Sequence, residues 1–432
     1  MTNRKPLRRR RAQRSLRASP RIRALRFRPA TTLTTVAAIL LGGCDLDVEN
    51  PAVIDAAEFD PAADAASLSF SAQTNFYDAF AGVINYGAYF SGELWVAAVR
   101  QETNDFGRRV ISSGNLDLNP QVWAPLSLAI ASNERVLEVL DGVADAGSNL
   151  NIARSAMNAG FAIELMAEYF CQGVMLVGPP MTPEETLDSA TVRFERAITV
   201  ASAASGEEAT SIANASRVGL ARAYLQKGDY ANAAQAAMAV PDDFLLNAVY
   251  VDDLANRGRV SNGVFASTVG NIQVVPADYL ALADPRVPSA DRGRLAQDGQ
   301  LQLIVQTKYE SYGDPIRVAS GLEARYIAAE ANLQLGNTAD ALALIAERRA
   351  ANGQNDFNGS GTPAILADLM DQRTRDFWLE GKHLGDFFRN PGATPYVPTA
   401  GTPFYKPTQG VFAEAECLPV PNEERRANPH FS

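Results

Sequence analysis

Residues 211–240, SIANASRVGLARAYLQKGDYANAAQAAMAV, read as two antiparallel helices joined by a tight turn. Leu220, Ala221 and Tyr224 recur at helical spacing ahead of Gly228-Asp229-Tyr230, Ala233 follows, and Pro241 closes the run. The small side chains of Ala221 and Ala233 let two helix backbones come close, and Gly228 supplies the turn between them. The same arrangement returns at Gly321–Ala350, with Ala328, Ala329, Leu335-Gly336-Asn337, Ala341 and Ile345.

Both segments resemble tetratricopeptide hairpins. Contiguous repeats of that kind recur about every 34 residues, whereas these two turn glycines lie 108 residues apart. The spacing predicts a scattered set of helical pairs with insertions and no uninterrupted superhelix. Further helices are expected at Ser67–Phe80, at Val122–Leu140, at Asn151–Cys171, at Ala190–Ala204 and over 363–389. Thr182-Pro183-Glu184-Glu185 has the capping Thr, first-position Pro and first-turn acids of a helix start. Residues 81–119 are rich in Gly, Asn and Ser and read as a loop or lid. Residues 242–320 read as an irregular insertion with apolar runs at Val264–Val269 and Leu301–Tyr309. The proline-rich stretch 390–432 reads as an extended cover over the helical body. The fold class is all-α, with helical pairs as scaffold and a loop-rich face.

Composition narrows the function. The 432 residues are 47% hydrophobic and 20% charged, an ordinary globular balance. Only His383 and His430 are available, which argues against His-rich metal sites and most His-dependent triads. No G-x-S-x-G motif occurs. No metal and no cofactor is expected.

Charge is unevenly placed. Residues 1–43 hold twelve basic residues and no acidic one, which leaves 27 basic against 49 acidic residues beyond them. So acidic a body repels phosphate backbones, so nucleic acid is not an expected partner. The basic arm runs into Thr34–Leu41 (TTVAAILL), an apolar stretch too short to span a bilayer, and then Gly42-Gly43-Cys44. This order is that of an export signal, and Leu41-Gly42-Gly43-Cys44 resembles the bacterial lipobox. Residues 1–43 are therefore expected to be removed, Cys44 to carry acyl chains that anchor the protein in lipid, and the acidic segment 44–66 to act as a tether. In the oxidising compartment this implies, Cys171 and Cys417 either pair or remain as two buried thiols.

Several segments in order extend the resemblance. After Cys44 come Asp-Leu-Asp-Val-Glu-Asn-Pro (45–51), Ala129-Ile130-Ala131-Ser132-Asn133, the 182–185 helix start and GLEARYIAAEANLQLGN (321–337). RTRDFWLEGKHLGDFFR (373–389) and Leu418-Pro419-Val420-Pro421 with Glu423 and Asn428 complete the series. This series resembles the SusD/RagB family of outer-membrane nutrient-binding lipoproteins over about 45–432. Its most specific part is Arg375, Phe377, Glu380, Gly381 and Lys382. The resemblance implies one helical domain over 67–432, set on the cell exterior beside a SusC-like TonB-dependent transporter. Such a protein captures oligosaccharides, or peptides, without performing chemistry on them. An all-helical glycan-degrading enzyme and a tetratricopeptide protein–protein scaffold are the competing readings.

A sugar site needs flat aromatic surfaces and nearby polar groups. Trp123 opens an amphipathic helix, and Trp378 sits within 373–389, so both read as packing residues. Trp95 is the best platform candidate, with Tyr86, Tyr89, Asn104 and Asp105 nearby in sequence and Tyr309 and Tyr312 as a second cluster. Arg375, Glu380, Lys382 and Asp386 stand three or four residues apart in several pairs and read as a salt-bridged helix face.

Overall fold

The structure is a computed structural model that describes residues 60–253, 255 and 260–431. Cys44 and most of the expected tether lie outside the described residues. The fold is mostly helical, and its few strands form short two-stranded pieces.

In chain order, α1 (Pro61–Ser91) leads to β1 (Trp95–Val96) and α2 (Gln101–Arg108). A π-helical turn, Asn119–Trp123, runs into α3 (Ala124–Leu140), followed by α4 (Leu150–Tyr169). The small hairpin of β2 (Gly173–Val174) and β3 (Pro180–Met181) precedes α5 (Pro183–Ala203), α6 (Glu207–Gln226) and α7 (Tyr230–Met238). The insertion holds β4 (Leu245–Ala248), α8 (Gly263–Val269), β5 (Gln273–Val274), α9 (Ala277–Leu280), β6 (Ser289–Leu295), β7 (Gln302–Gln306) and β8 (Ile316–Ser320). Then come α10 (Gly321–Gln334), α11 (Ala339–Ala351), α12 (Thr362–Asp376), α13 (His383–Arg389) and α14 (Asn422–Ala427).

Both expected hairpins are present as α6–α7 and α10–α11, with Gly228 and Gly336 at positive φ. They are not scattered in space. Helix α10 packs directly on α7, which extends the stack α4–α5–α6–α7. Strand β4 pairs antiparallel with β8 and closes the insertion at its base, so the chain returns to the stack where it left. The capping box at the start of α5 is complete: the Glu185 N–H donates to the Thr182 hydroxyl, and the Thr182 N–H to the Glu185 carboxylate. Helix α4 lies at the centre, with almost every residue from Ile152 to Tyr169 buried.

Three expectations need correction. Helix α1 begins at Pro61 and runs on to Ser91, eleven residues beyond Phe80. Its Gly87 marks close packing and not a loop, since a Cβ there would lie 2.4 Å from the Tyr169 ring of α4. Val264–Val269 of the insertion is helical, as part of α8. And 363–389 is not one helix: α12 ends at Asp376, and a turn with Leu379 at φ 59° and Gly381 at φ 73° separates it from α13.

That turn changes the reading of its charges, which face inward. Arg375 pairs with Asp371 at 2.9 Å and Asp284 at 3.0 Å, and Glu380 with Lys308 at 2.6 Å and Arg317 at 2.7 Å. Lys382 lies 3.7 Å from Glu323, and Asp386 accepts from Arg373 at 2.7 Å. Of these, only Arg375–Asp371 is an i,i+4 helix pair; the others tie α12, the turn and α13 to one another, to the insertion and to the stack. At the centre Arg222 of α6 bonds Glu164 of α4 and Glu323 of α10, each at 2.8 Å, with all three side chains buried. Breaking such a buried pair typically costs about 3–5 kcal/mol.

The tail is stitched to the body. Cys171 and Cys417 form a disulfide with Cα atoms 5.1 Å apart. Beside it the Cys171 N–H donates to Leu418 O at 2.9 Å and the Leu418 N–H to Tyr169 O at 2.8 Å.

Candidate ligand-binding site

Beyond the end of α1 the chain turns through Gly92 and pairs β1 antiparallel with β5, Trp95 opposite Val274. This places the half-buried Trp95 ring at the rim of a cleft of about 340 Å³, with Tyr279, Tyr396, Pro398, Asp278 and Phe412 among its walls.

One face of Trp95 is already covered. The ring of Tyr405 stacks on it, centroids 4.5 Å apart and planes 13° apart. The Tyr405 phenol oxygen accepts from the Val96 N–H at 2.7 Å, which fixes the lower ring to the strand that carries the upper one. Burial raises the Tyr405 pKa well above the usual phenol value, so it is neutral at physiological pH. Next to it Lys406 is buried, donates to Asn104 Oδ1 at 2.7 Å and forms an ion pair with the Asp298 carboxylate at 2.8 Å. This bond set joins α2, the β6–β7 turn and the tail beneath the platform.

The opposite wall is Tyr279, buried and roughly parallel to Trp378 at 6.0 Å, and Tyr396, tilted against Tyr279 at 5.1 Å. Tyr396 has φ 64°, a conformation bulky residues rarely adopt, and its hydroxyl donates to Asp371 at 2.7 Å. Gly92 at φ 85° lets the 396–398 segment pass: a Cβ there would meet Pro398 Cδ at 2.6 Å.

Behind the platform the carboxylate of Glu93 is buried. It accepts from the Leu379 N–H at 2.8 Å and from the Ser91 hydroxyl at 3.2 Å. Burial pushes its pKa up to about 7, partly offset by those hydrogen bonds and by Lys308. The left-handed turn is held further by Lys308, which donates to Trp378 O at 2.5 Å, and by the Tyr309 hydroxyl, which donates to Leu379 O at 3.1 Å.

Of the aromatic and polar candidates, only Trp95 lines the cleft. Tyr86 and Tyr89 sit on α1 rather than in a loop. The Tyr86 hydroxyl donates to Asp117 at 3.2 Å, and the buried Tyr89 hydroxyl donates to Gln273 at 2.8 Å. Asn104 is buried and holds Ala98 O, Arg100 O and Lys406, so it supports the platform from below. Asp105 is half-buried and accepts from Gln101 at 2.7 Å and Asn115 at 3.4 Å. Tyr309 is buried against the 377–381 turn, and half-buried Tyr312 packs edge-on against Phe265 at 5.0 Å. Buried rings such as Tyr89 and Tyr309 offer a ligand no face. Trp123, in the π-helical turn, and Trp378, in the turn after α12, are core residues, as expected.

Sequence reasoning missed Tyr405, Tyr279 and Tyr396. Tyr405 lies in the proline-rich stretch taken as a cover, and only the fold returns it to Trp95. The available signal was Phe404-Tyr405 set between Pro403 and Pro407, adjacent aromatics in an otherwise extended tail. Among the described residues no three His, Cys, Asp or Glu side chains are grouped to hold a metal ion. No described helix is long and apolar enough to cross a membrane.

No protein-family model matches the sequence, and no curated protein matches it. Solved structures do. A SusD-like carbohydrate binding protein from Bacteroides vulgatus superposes with a TM-score of 0.68 at 14% identity, over 86% of this chain and 97% of the other. Surface glycan-binding protein A from Bacteroides thetaiotaomicron, solved in complex with laminarihexaose, gives 0.67 at 13% identity over 86% and 98%. Its counterpart from Bacteroides uniformis gives 0.63 at 15% over 85% and 99%. At these identities the likeness is one of architecture, and it spans nearly the whole of each neighbour: the chain has the SusD-like fold.

Proposed function

We propose that this chain is a surface glycan-binding protein that grips an oligosaccharide at the Trp95 cleft and leaves its bonds intact. The observation that carries this reading is the Trp95–Tyr405 stack, a double-layer aromatic platform whose upper ring, Trp95, lines a cleft. A pyranose stacks its C–H faces on such a surface, and Asp278, Thr399 and Thr402 at the cleft supply hydroxyl partners. Structural neighbours described as carbohydrate-binding, one of them holding laminarihexaose, support the same reading. Glycoside hydrolysis normally needs two carboxyl groups across the scissile bond. The cleft lining holds one, Asp278, which favours binding over cleavage.

The wider assignment rests on the sequence. An acylated Cys44 anchors the protein in the outer membrane, facing the exterior, and it delivers oligosaccharide (or peptide) to a SusC-like TonB-dependent transporter. The Leu41–Cys44 motif after a basic and apolar run supports the anchor. The test is a glycan and peptide binding screen with wild type and Trp95→Ala, with the products checked for cleavage and the membranes for a co-purifying barrel. Binding without product, lost in the variant, is expected. Released oligosaccharide products would overturn it in favour of the enzyme reading.

A further inference from the structure

A second cleft lies on a different part of the molecule, between α4, α5, α13 and the disulfide-stitched tail. It encloses about 280 Å³ and is lined mainly by apolar side chains, among them Phe170, Leu187, Phe388 and the exposed Pro183. Leu187 packs with Ala167 and Ala223 in a small apolar cluster separate from the main core. The Cys171–Cys417 disulfide forms part of the wall, and the adjoining backbone bonds between 169–171 and 418 hold that wall in place.

One charged group is built into this apolar lining. Glu168 of α4 is only 7% exposed. Its Oε1 accepts from the Gln226 amide at 2.6 Å, and no other hydrogen bond reaches this carboxylate among the described residues. The neighbouring cations are engaged elsewhere. Arg222 holds Glu164 and Glu323, Arg389 holds Glu330 and Asp386, and Lys382 faces Glu323. Glu168 forms no ion pair among the described residues, and burial raises its pKa. Exposed Glu416 stands at the same cleft, and no cationic side chain among the described residues lines it. A buried carboxylate with an open oxygen in an apolar, aromatic-walled cleft is matched by a cation on an apolar body.

We propose that the Glu168 cleft is a binding site for an organic ammonium group carried on a short apolar body, with Glu168 as its counter-ion and Phe170, Phe388 and Leu187 around the body. The ammonium supplies the hydrogen-bond donors that Oε2 lacks, and the disulfide edge and Pro183 frame the entrance. The same chemistry belongs to a free amine and to the lysine side chain of a peptide. This site is independent of the Trp95 cleft and of what binds there.

The test is calorimetric titration of the mature full chain at pH 8 with 2-phenylethylamine, 2-phenylethanol and N-acetyl-lysine amide. The amine is expected to bind at least tenfold more tightly than the isosteric alcohol. Glu168→Gln, which keeps an oxygen for Gln226 but removes the charge, should lower amine affinity at least tenfold and leave glycan binding unchanged. Pro183→Trp, at an exposed rim position, should block the amine without touching the core. N-acetyl-lysine amide binding as tightly as the amine assigns the site to a protein side chain, and amine binding alone assigns it to a small molecule; both support the site. Equal affinities for amine and alcohol, no amine binding by wild type, or undiminished binding by either variant would overturn it.

Discussion

The backbone N–H of Leu379 donates to the buried carboxylate of Glu93 at 2.8 Å, which locks the left-handed turn after α12 to the loop that carries Trp95. The bond joins the segment most diagnostic in the sequence to the stretch that carries Trp95 at the cleft. Its pH dependence follows from burial, which lifts Glu93 from 4.5 to about 7. A carboxyl whose folded pKa is raised binds more protons folded than unfolded between those values. Its contribution therefore turns unfavourable as pH rises from 4.5 to 7, and the full penalty, of order 3 kcal/mol, applies above that. Other buried carboxyls titrate as well, so the informative quantity is a difference. Glu93→Gln is expected to raise Tm relative to wild type at pH 8 and to lose that advantage near pH 4.5, by thermal unfolding across the range.

Trp95 and Tyr405 separate binding from stability. Trp95→Ala should reduce oligosaccharide affinity more than tenfold with a modest loss of stability, because the ring is only half-buried. Tyr405→Phe keeps the stack but removes the acceptor for the Val96 N–H, a loss of about 1 kcal/mol. Calorimetry and denaturant unfolding on both variants check the two effects.

Gly92→Ala is expected to destabilise by roughly 1–3 kcal/mol and to weaken cleft binding together. Its φ of 85° disfavours a side chain, and the new Cβ would meet Pro398 Cδ at 2.6 Å. Unfolding curves and a glycan titration on the same sample read both; an unchanged cleft affinity would show that the 396–398 segment does not shape the site.

The Cys171–Cys417 disulfide closes a sequence separation of 246 residues. In the chain-entropy view, removing a link over so long a loop costs up to about 5 kcal/mol. Cys417→Ser should lower Tm markedly while the stitched backbone bonds keep the tail docked, so glycan binding at 20 °C should persist. Thermal scans with and without reductant, compared with the variant, measure this.

Local order was legible from residues near one another in sequence. The helix start at Thr182–Glu185, the turn at Gly228 with Ala221 and Ala233, and the amphipathic stripe of α3 each depend on spacing within one or two turns. Gly87 misled because a helical glycine facing a tyrosine ring and a loop glycine look alike without the partner. The charges of 373–389 misled for a related reason. Their spacing allowed helix pairs, but buried or half-buried partners from the insertion and the stack, Lys308, Arg317, Asp284 and Glu323, outcompeted most of them.

The sequence alone settled that the chain builds paired helices and where two of those pairs turn, because periodicity, caps and turn glycines act over a few residues. The tertiary structure decided that α10 stacks on α7 across the insertion, that Tyr405 lies under Trp95, and that Cys171 meets Cys417. The last two of those contacts join residues hundreds of positions apart, and the first spans the whole insertion. Their energy comes from burying surface and pairing charge in three dimensions, which no local pattern encodes.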